Sequence, residues 1–158
     1  MNFQRLPADL ADNFRTNPEE WRPFVYGCHA MVGTRIGSRE TCVATLNSSP
    51  FILVQISHQI LGLLTEGGEP INDGSYLVTW GDETSNYTSA AIPADLLFGS
   101  TRSGYLQSLA FPVYYGGNSA ITFEITNMID RTNEPTDLFR VDFALHGWMY
   151  WGTKAQPR

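Results

Sequence analysis

The residues of this sequence that could perform chemistry are two cysteines, three histidines and a scatter of carboxylates. Cys28 and His29 are adjacent in the sequence and have the residue types of a catalytic nucleophile and its base. Successive side chains of a strand point to opposite faces, however, so neighbours in an extended segment do not touch. The sequence also has no Gly-x-Ser-x-Gly motif to expose a nucleophilic serine. We interpret Cys28 as a core thiol and His29 as a surface residue.

A metal site would have to combine the cysteines with the histidines, which are His29, His58 and His146. Cys28 and Cys42 are fourteen residues apart, and His58 follows sixteen residues later. This spacing matches none of the compact zinc-finger or zinc-ribbon patterns. A His-x-His pair, which a cupin-type metal site needs, is absent. We therefore predict neither a metal nor any other cofactor.

Paired carboxylates are the third candidate chemistry, because two of them about 5 Å or about 6.5–9.5 Å apart define a glycosidase. Asp82 and Glu83 are contiguous in a turn, where solvated acids are expected. Glu124 and Asp142 fall on the polar sides of two alternating runs and could be cross-strand neighbours, with Arg140 nearby. The simpler interpretation is a solvated sheet surface with a charge pair. We predict no catalytic residues and no enzymatic activity, with hydrolysis kept as an alternative.

The two runs that carry these acids organise the chain. In residues 120–127 and 138–146, polar side chains alternate strictly with branched or aromatic ones. Such alternation is typical of strands with one buried face. The connection 128–137 is polar and contains Pro135, so it predicts a loop. The simplest arrangement is an antiparallel hairpin whose apolar face is half of a β-sandwich.

Further strands are expected upstream, at 24–32, 40–47, 51–64, 76–80 and 105–115, with a segment at 86–91 that pairs back. The apolar run from Phe51 predicts a strand covered on both faces at its start. Pro112 predicts an edge or a bend, and residues 93–98 predict one helical turn capped by Gly99. About eight strands, with turns about every eight to twelve residues, predict an all-β sandwich or jelly roll over residues 23–158.

Composition restricts the partners of this fold. Charged residues are 16% and aromatic residues 13% of the chain, so we expect other proteins to cover part of the surface. A net charge of −6 without a basic patch argues against nucleic acid. No apolar run has membrane-spanning length, and the first residues lack a signal-peptide core. We expect synthesis in the cytoplasm with Cys28 and Cys42 reduced, a disulfide across neighbouring strands being the alternative.

The two ends of the chain predict interaction surfaces. Residues 1–22 form an N-terminal arm with two short helix signals and too little apolar surface to fold alone. The arm either packs on the sandwich or reaches a neighbouring subunit, and we predict that it docks on the neighbour. Near the other end, large aromatic residues fall on both faces of an extended segment. This favours an interface or a core over a one-sided sugar platform. The predicted partner-binding residues are Leu6, Leu10, Phe14, Trp21, Trp148, Tyr150 and Trp151.

Several short motifs together resemble a known group of proteins. The strand Phe123–Asn127 ends in Thr-Asn, and a closing strand ends in Leu-His-Gly-Trp at 145–148. An early Ser-Ser-Pro-Phe at 48–51 and a central Phe-Pro at 111–112 complete the pattern. Over residues 23–152 the chain resembles small jelly-roll virion proteins of tailed bacteriophages, a group that includes capsid cement or decoration proteins and head–neck modules.

The resemblance implies a role in binding and supplies no catalytic residues. It implies a non-enzymatic virion protein, made in the host cytoplasm, that stabilises subunit joints by burying surface between major capsid or neck subunits. A homo-oligomer, dimer or trimer, is also expected. A carbohydrate-binding β-sandwich acting in host recognition is the first alternative. A small jelly-roll hydrolase is the second.

Overall fold

The computed structural model describes residues 8–62, 76–99, 107–132 and 137–152, without the side chains of Ala8, Leu10 and Ala11. An α-helix and a 3-10 turn come first, followed by strands and one further short helix. The elements in chain order are α1 Ala8–Thr16, the 3-10 turn Pro18–Glu20, β1 Trp21–Gly33, β2 Arg39–Thr45, β3 Phe51–Leu61, β4 Tyr76–Asp82, β5 Ile92–Pro93, α2 Ala94–Phe98, β6 Ser108–Tyr115, β7 Ala120–Asn127 and β8 Leu138–Tyr150.

The eight strands form two antiparallel sheets that pack face to face. The first sheet has the order β1-β8-β3-β6, and the second has the order β2-β7-β4-β5. The prediction of an all-β sandwich is therefore confirmed. Each of the first four strands pairs with its counterpart from the last four, β1 with β8, β2 with β7, β3 with β6 and β4 with β5. This nested pairing is what a jelly roll is expected to have.

The predicted hairpin of β7 and β8 is wrong, because the two strands belong to different sheets. β7 pairs with β2 and β4, whereas β8 pairs with β1 and β3. Their apolar faces meet across the sandwich, where Phe123 and Phe143 stack with ring centroids 4.3 Å apart. Alternation shows that a strand has one buried face, but it does not say which strand lies beside it.

One layer through the middle of the core shows how register positions the inner side chains. On the first sheet, Cys28 and His58 both pair with Phe143. On the second sheet, Cys42 and Trp80 both pair with Phe123. The ring of Phe98 from α2 closes the layer beside His58 and Trp80. Across the layer, Cys28 therefore faces Cys42 and Phe143 faces Phe123.

Asn127 fastens the end of the sandwich where β1 stops and β8 begins. Its buried side chain donates from Nδ2 to the carbonyls of Gly33, Thr34 and Arg35 at 3.0–3.2 Å. Its Oδ1 accepts from the backbone N–H of Ile129 at 3.2 Å. A buried amide that bridges so many backbone groups joins the β1–β2 turn to the segment after β7.

Several local predictions are confirmed in the same elements. Ile52 points away from the core yet is only 4% exposed, so β3 is covered on both faces at its start. Pro112 lies on β6, an edge strand. Helix α2 ends at Gly99, whose φ of 82° suits glycine. The segment 86–91 forms only one bridge, between Gly81 and Asn86, before β5 begins.

Candidate interaction surface

The aromatic side chains expected to bind a partner form a cluster on the outer face of the first sheet. Trp21 and Tyr150 are opposite one another on β1 and β8, and their rings lie 5.2 Å apart. Phe14 of helix α1 packs edge-on against Trp21 at 5.6 Å and against Trp148 at 5.8 Å. The helix therefore lies on its own sheet. We call Phe14, Trp21, Trp148, Tyr150 and Trp151 the aromatic end.

Hydrogen bonds hold the arm in this position. The indole Nε1 of Trp21 donates to Oδ1 of Asn13 at 2.9 Å, and Nδ2 of Asn13 donates to the Glu20 carboxylate at 3.2 Å. The N–H of Trp151 donates to the backbone carbonyl of Glu20 at 2.8 Å. The hydrogen bond to Glu20 raises the pKa of the Tyr150 phenol above its ordinary value. The arm is thus tied to both β1 and β8.

The members of the aromatic end differ in how deeply their side chains are buried. Trp21 is 3% exposed, and Phe14, Trp148 and Tyr150 are half-buried. Trp151 is 41% exposed, with the Arg22 guanidinium 5.2 Å from its ring centre. Because each ring has a neighbour from its own chain, the cluster does not offer the flat open face that a sugar ring stacks on.

Five of the seven predicted partner-binding residues lie close together in the structure. It brings Phe14, Trp21, Trp148 and Tyr150 together and places Trp151 beside them. Leu6 and the side chain of Leu10 lie outside the described residues. The role of the set in binding a partner stays a prediction.

A second surface, which the sequence pattern did not indicate, lies at the opposite end of β1 and β8. Ile36 in the β1–β2 turn is 63% exposed, and Leu138 at the start of β8 is 47% exposed. Met31 and Leu61 are exposed on either side of Arg140, with which both pair in register. We call this surface the apolar end, and its residues are Met31, Ile36, Leu61, Met128, Ile129 and Leu138.

Charged groups of both signs border the apolar end. Arg140 contacts Asp142 at 2.6 Å, and Arg39 lies 3.8 Å from Glu124. Hydrogen bonds from Thr132 hold the pKa of the exposed Asp130 below its usual value, with a smaller contribution from the charge of Arg35. The apolar end therefore combines exposed apolar side chains with charged groups of both signs, and Arg140 lies between Met31 and Leu61. Protein–protein interfaces commonly mix apolar and charged groups in this way.

The structure does not bring together the candidate catalytic pairs that the sequence analysis considered. Cys28 faces the core and His29 faces out, since they pair with Phe143 and Asp142 respectively. Glu124 lies on the outer face of the second sheet, whereas Asp142 lies on the outer face of the first. The whole core separates these two acids, so they cannot flank one glycosidic bond.

The carboxylate of Asp82 is hydrogen-bonded within the turn that follows β4. It accepts hydrogen bonds from the backbone of Thr84 at 2.7 Å, the backbone of Ser85 at 2.9 Å and the Tyr87 hydroxyl. Partial burial acts to raise the pKa of Asp82, but the bonds from Tyr87 and Thr84 hold it below its ordinary value. Burial and the bond to Asp82 raise the pKa of Tyr87 to about 12. The arrangement stabilises the turn after β4.

His58 has structural partners on both of its ring nitrogens. His58 is buried, with Nδ1 bonded to the Tyr76 hydroxyl and Nε2 lying 2.9 Å from the Gly99 carbonyl. Burial lowers the pKa of His58 below its ordinary value, although the bond to Gly99 and nearby Asp95 act in the opposite direction. Within the described part of the chain, no three ligand-type side chains gather in a way that would hold a metal ion.

The sequence analysis missed one pair with the right chemistry for nucleophilic attack. Ser57 Oγ lies 2.8 Å from His146 Nε2 on the outer face of the first sheet. The two residues are 89 positions apart, and only strand register brings them together. The nearby Asp142 carboxylate is bonded to Gln59 and Arg140, so it does not orient the imidazole. Among the described residues, the pair has no third group that would complete a catalytic triad.

Comparison with known proteins does not assign this chain to a family. No protein-family profile matches this chain, and no curated protein sequence matches it. Among solved structures, the chain is similar to one chain of the acid-stable capsid of Helicobacter pylori bacteriophage KHP30. That likeness has a TM-score of 0.39 and 15% sequence identity, and it covers 80% of this chain and 92% of the other. No helix in the described ranges is long and apolar enough to span a membrane.

Proposed function

We propose that this chain is a non-enzymatic structural protein of a bacteriophage virion, a capsid cement or decoration protein or a head–neck component. Its work would be to hold neighbouring protein subunits together by burying surface between them. The observation that carries the proposal is the apolar end, where six large apolar side chains are each exposed at one end of the sandwich. Exposed apolar surface of this kind is typical of protein-interaction sites.

The chemistry of this surface favours a protein as its occupant. A nucleic acid would need a basic surface, whereas the net charge here is −6 and the charged groups at this end have both signs. A sugar would need convergent polar groups or a flat ring face. Apolar side chains mixed with charges of both signs instead complement a second protein surface of the same kind. We therefore propose a neighbouring subunit of the particle as the partner.

Rigidity of the apolar end supports the same role. Asn127 joins the segments that carry Ile36 and Ile129, so the backbone beside these side chains is fixed before a partner binds. A preorganised surface loses less conformational entropy on binding than a loose loop does. Repeated around a symmetric shell, modest contacts of this type add up without covalent chemistry.

Two measurements test the proposal. Quantitative peptide mass spectrometry of purified phage particles should find the protein in a fixed ratio to the major capsid protein. Leu138→Asp should then reduce attachment of added protein to particles by at least about tenfold, because it places a charge at the centre of the interface. Val43→Asp is the matched control, since Val43 is 49% exposed on the outer face of the other sheet.

The two measurements fail in different ways. Absence of the protein from purified particles would remove the virion role itself. Presence in the particle with equal attachment of Leu138→Asp and wild type would keep that role but move the contact to another surface. Light scattering of the purified chain over a range of concentrations checks the further expectation of a dimer or trimer, which a concentration-independent monomer would contradict.

A further inference from the structure

The two cysteines of the chain meet across the sandwich. Sγ of Cys28 and Sγ of Cys42 are 2.8 Å apart, although they belong to different sheets. Both side chains point into the same core layer, because Cys28 pairs with Phe143 and Cys42 pairs with Phe123. The stacked rings of these two phenylalanines fix the distance between the sheets at this level. The approach of the two thiols is therefore a consequence of register.

The position of the pair makes it reachable from solution. β1 and β2 are the edge strands of their sheets, so the thiols lie at one open side of the sandwich. Cys28 is half-buried and Cys42 is almost fully buried. A reagent in solution would therefore meet Cys28 first.

We propose that Cys28 and Cys42 are a redox-sensitive pair that closes into an intramolecular disulfide, joining the two sheets, when the protein meets a low-molecular-weight disulfide such as oxidised glutathione. The sulfur atoms need to approach by less than about 1 Å to reach bonding distance. The proposal adds a covalent modification to the fold and does not depend on the role proposed above.

The reaction balances in two exchange steps. The Cys28 thiolate attacks one sulfur of oxidised glutathione, whose S–S bond breaks, and one glutathione leaves as a thiolate that takes a proton. Cys42 then loses its proton to solvent and attacks Sγ of Cys28, and the second glutathione leaves. Two protein thiols are oxidised to one disulfide, while one oxidised glutathione is reduced to two thiols.

Local interactions set the order of these steps. The hydrogen bond with Cys28, and then burial, raise the pKa of the Cys42 thiol above its ordinary value. Cys42 therefore stays protonated in the reduced protein and acts as the resolving thiol. Since only the thiolate attacks a disulfide, Cys28 reacts first and Cys42 second.

The bond would join β1 to β2 at the side where no backbone hydrogen bonds connect the two sheets. It closes a short segment of chain, which restricts the unfolded state. The melting temperature of the oxidised protein should exceed that of the reduced protein by about 5–10 °C. The Cys28→Ser/Cys42→Ser double variant should show no such rise with the same oxidant.

The experiment treats the full-length native protein with oxidised glutathione and follows it by intact mass, thiol alkylation and thermal unfolding. The expected product has lost two hydrogens, has no free thiol, remains a single chain on a non-reducing gel and melts at the higher temperature. Cys42→Ser should instead accumulate a stable glutathione adduct on Cys28. Cys28→Ser should react slowly, because its remaining thiol is buried.

Three outcomes would overturn the proposal. The first is that both thiols stay free in the native protein under conditions that oxidise the urea-unfolded chain. The second is that the wild type keeps a glutathione adduct, which shows that Cys42 cannot reach Cys28. The third is that the only disulfides formed link two chains. A disulfide that forms without raising the melting temperature would refute its role in joining the sheets.

Discussion

The two ends of the sandwich have similar numbers of large apolar side chains, but these are mostly covered at one end and exposed at the other. At the aromatic end, helix α1 folds back on the first sheet, and Phe14 covers Trp21 and Trp148. At the apolar end, Ile36 and Leu138 stay exposed, although Asn127 holds the adjoining segments firmly. At one end, large aromatic residues therefore pack against other parts of their own chain. At the other end, smaller aliphatic side chains remain exposed and available to a partner.

This contrast teaches that residue type alone does not identify an interaction surface. Trp and Tyr are common at interfaces because they bury much area, but the same property suits them to hold an arm on its own domain. Trp21 holds the arm in this way, since its ring is buried and its indole N–H donates a hydrogen bond to Asn13. What marks a free surface is apolar area that remains exposed after folding.

Truncating one side chain at each end tests whether the two ends contribute differently to stability. Trp21→Ala should lower the free energy of unfolding by about 3–5 kcal/mol, because it opens a cavity beneath Phe14 and Tyr150. Leu138→Ala should lower it by less than about 0.5 kcal/mol, because that side chain makes few contacts to lose. Urea unfolding of both variants gives the two values.

Similar losses at the two ends would contradict the comparison. If Trp21→Ala were nearly neutral, the arm would not be part of the folded domain in solution. It would then be free to dock on a neighbouring subunit, as the sequence alone suggested. Phe14→Ala serves as the intermediate case, with an expected loss of about 1–2 kcal/mol because its ring is half-buried.

The second prediction concerns the group that holds the apolar end together. Asn127→Ala should cost about 2–4 kcal/mol, because it removes the hydrogen bonds of a buried amide to the carbonyls of Gly33, Thr34 and Arg35 and to the N–H of Ile129. Thr126→Ala is the control, since Thr126 is the preceding residue and points outward, with an expected loss under about 1 kcal/mol. Urea unfolding measures both, and equal losses would show that the amide contributes no more than an outward-facing hydroxyl.

Sequence reasoning succeeded where the determining interactions are local. Alternation of Ile121, Phe123 and Ile125 reports one buried face whatever lies beside the strand, so β7 was placed correctly. Pro112 and Gly99 likewise act through their own backbone, which is why the edge strand and the helix end were predictable. These features need no knowledge of the rest of the chain.

It failed where distant segments decide the outcome. The loop before β8 is long enough either to turn back or to cross to the other sheet, and packing of Phe123 on Phe143 selects the crossing. The apolar end has no period to detect, because Ile36, Met128 and Leu138 come from separate segments. The cysteine pair and the Ser57–His146 pair likewise depend on strand register and sheet packing.

The third and smallest prediction examines the core layer between the two ends. In the neutral tautomer of His58 that carries its proton on Nε2, Nε2–H donates to the Gly99 carbonyl while Nδ1 accepts from the Tyr76 hydroxyl. Burial is the main reason that its pKa lies below the ordinary value of 6.5, and it outweighs the Gly99 carbonyl and the Asp95 carboxylate at 3.3 Å. The folded protein therefore binds fewer protons here than the unfolded chain does near that pH.

The sign of the pH dependence follows from that difference. His58 contributes its full stability above about pH 6.5, and the contribution declines as the pH falls toward the lower folded-state pKa. The urea midpoint of the wild type should thus decrease between about pH 7.5 and about pH 5.5. In His58→Gln the decrease should be smaller, and every other residue is the same in the two proteins. Equal decreases would mean that His58 accepts a proton within the fold as easily as in the unfolded chain, and that the core layer tolerates a charge.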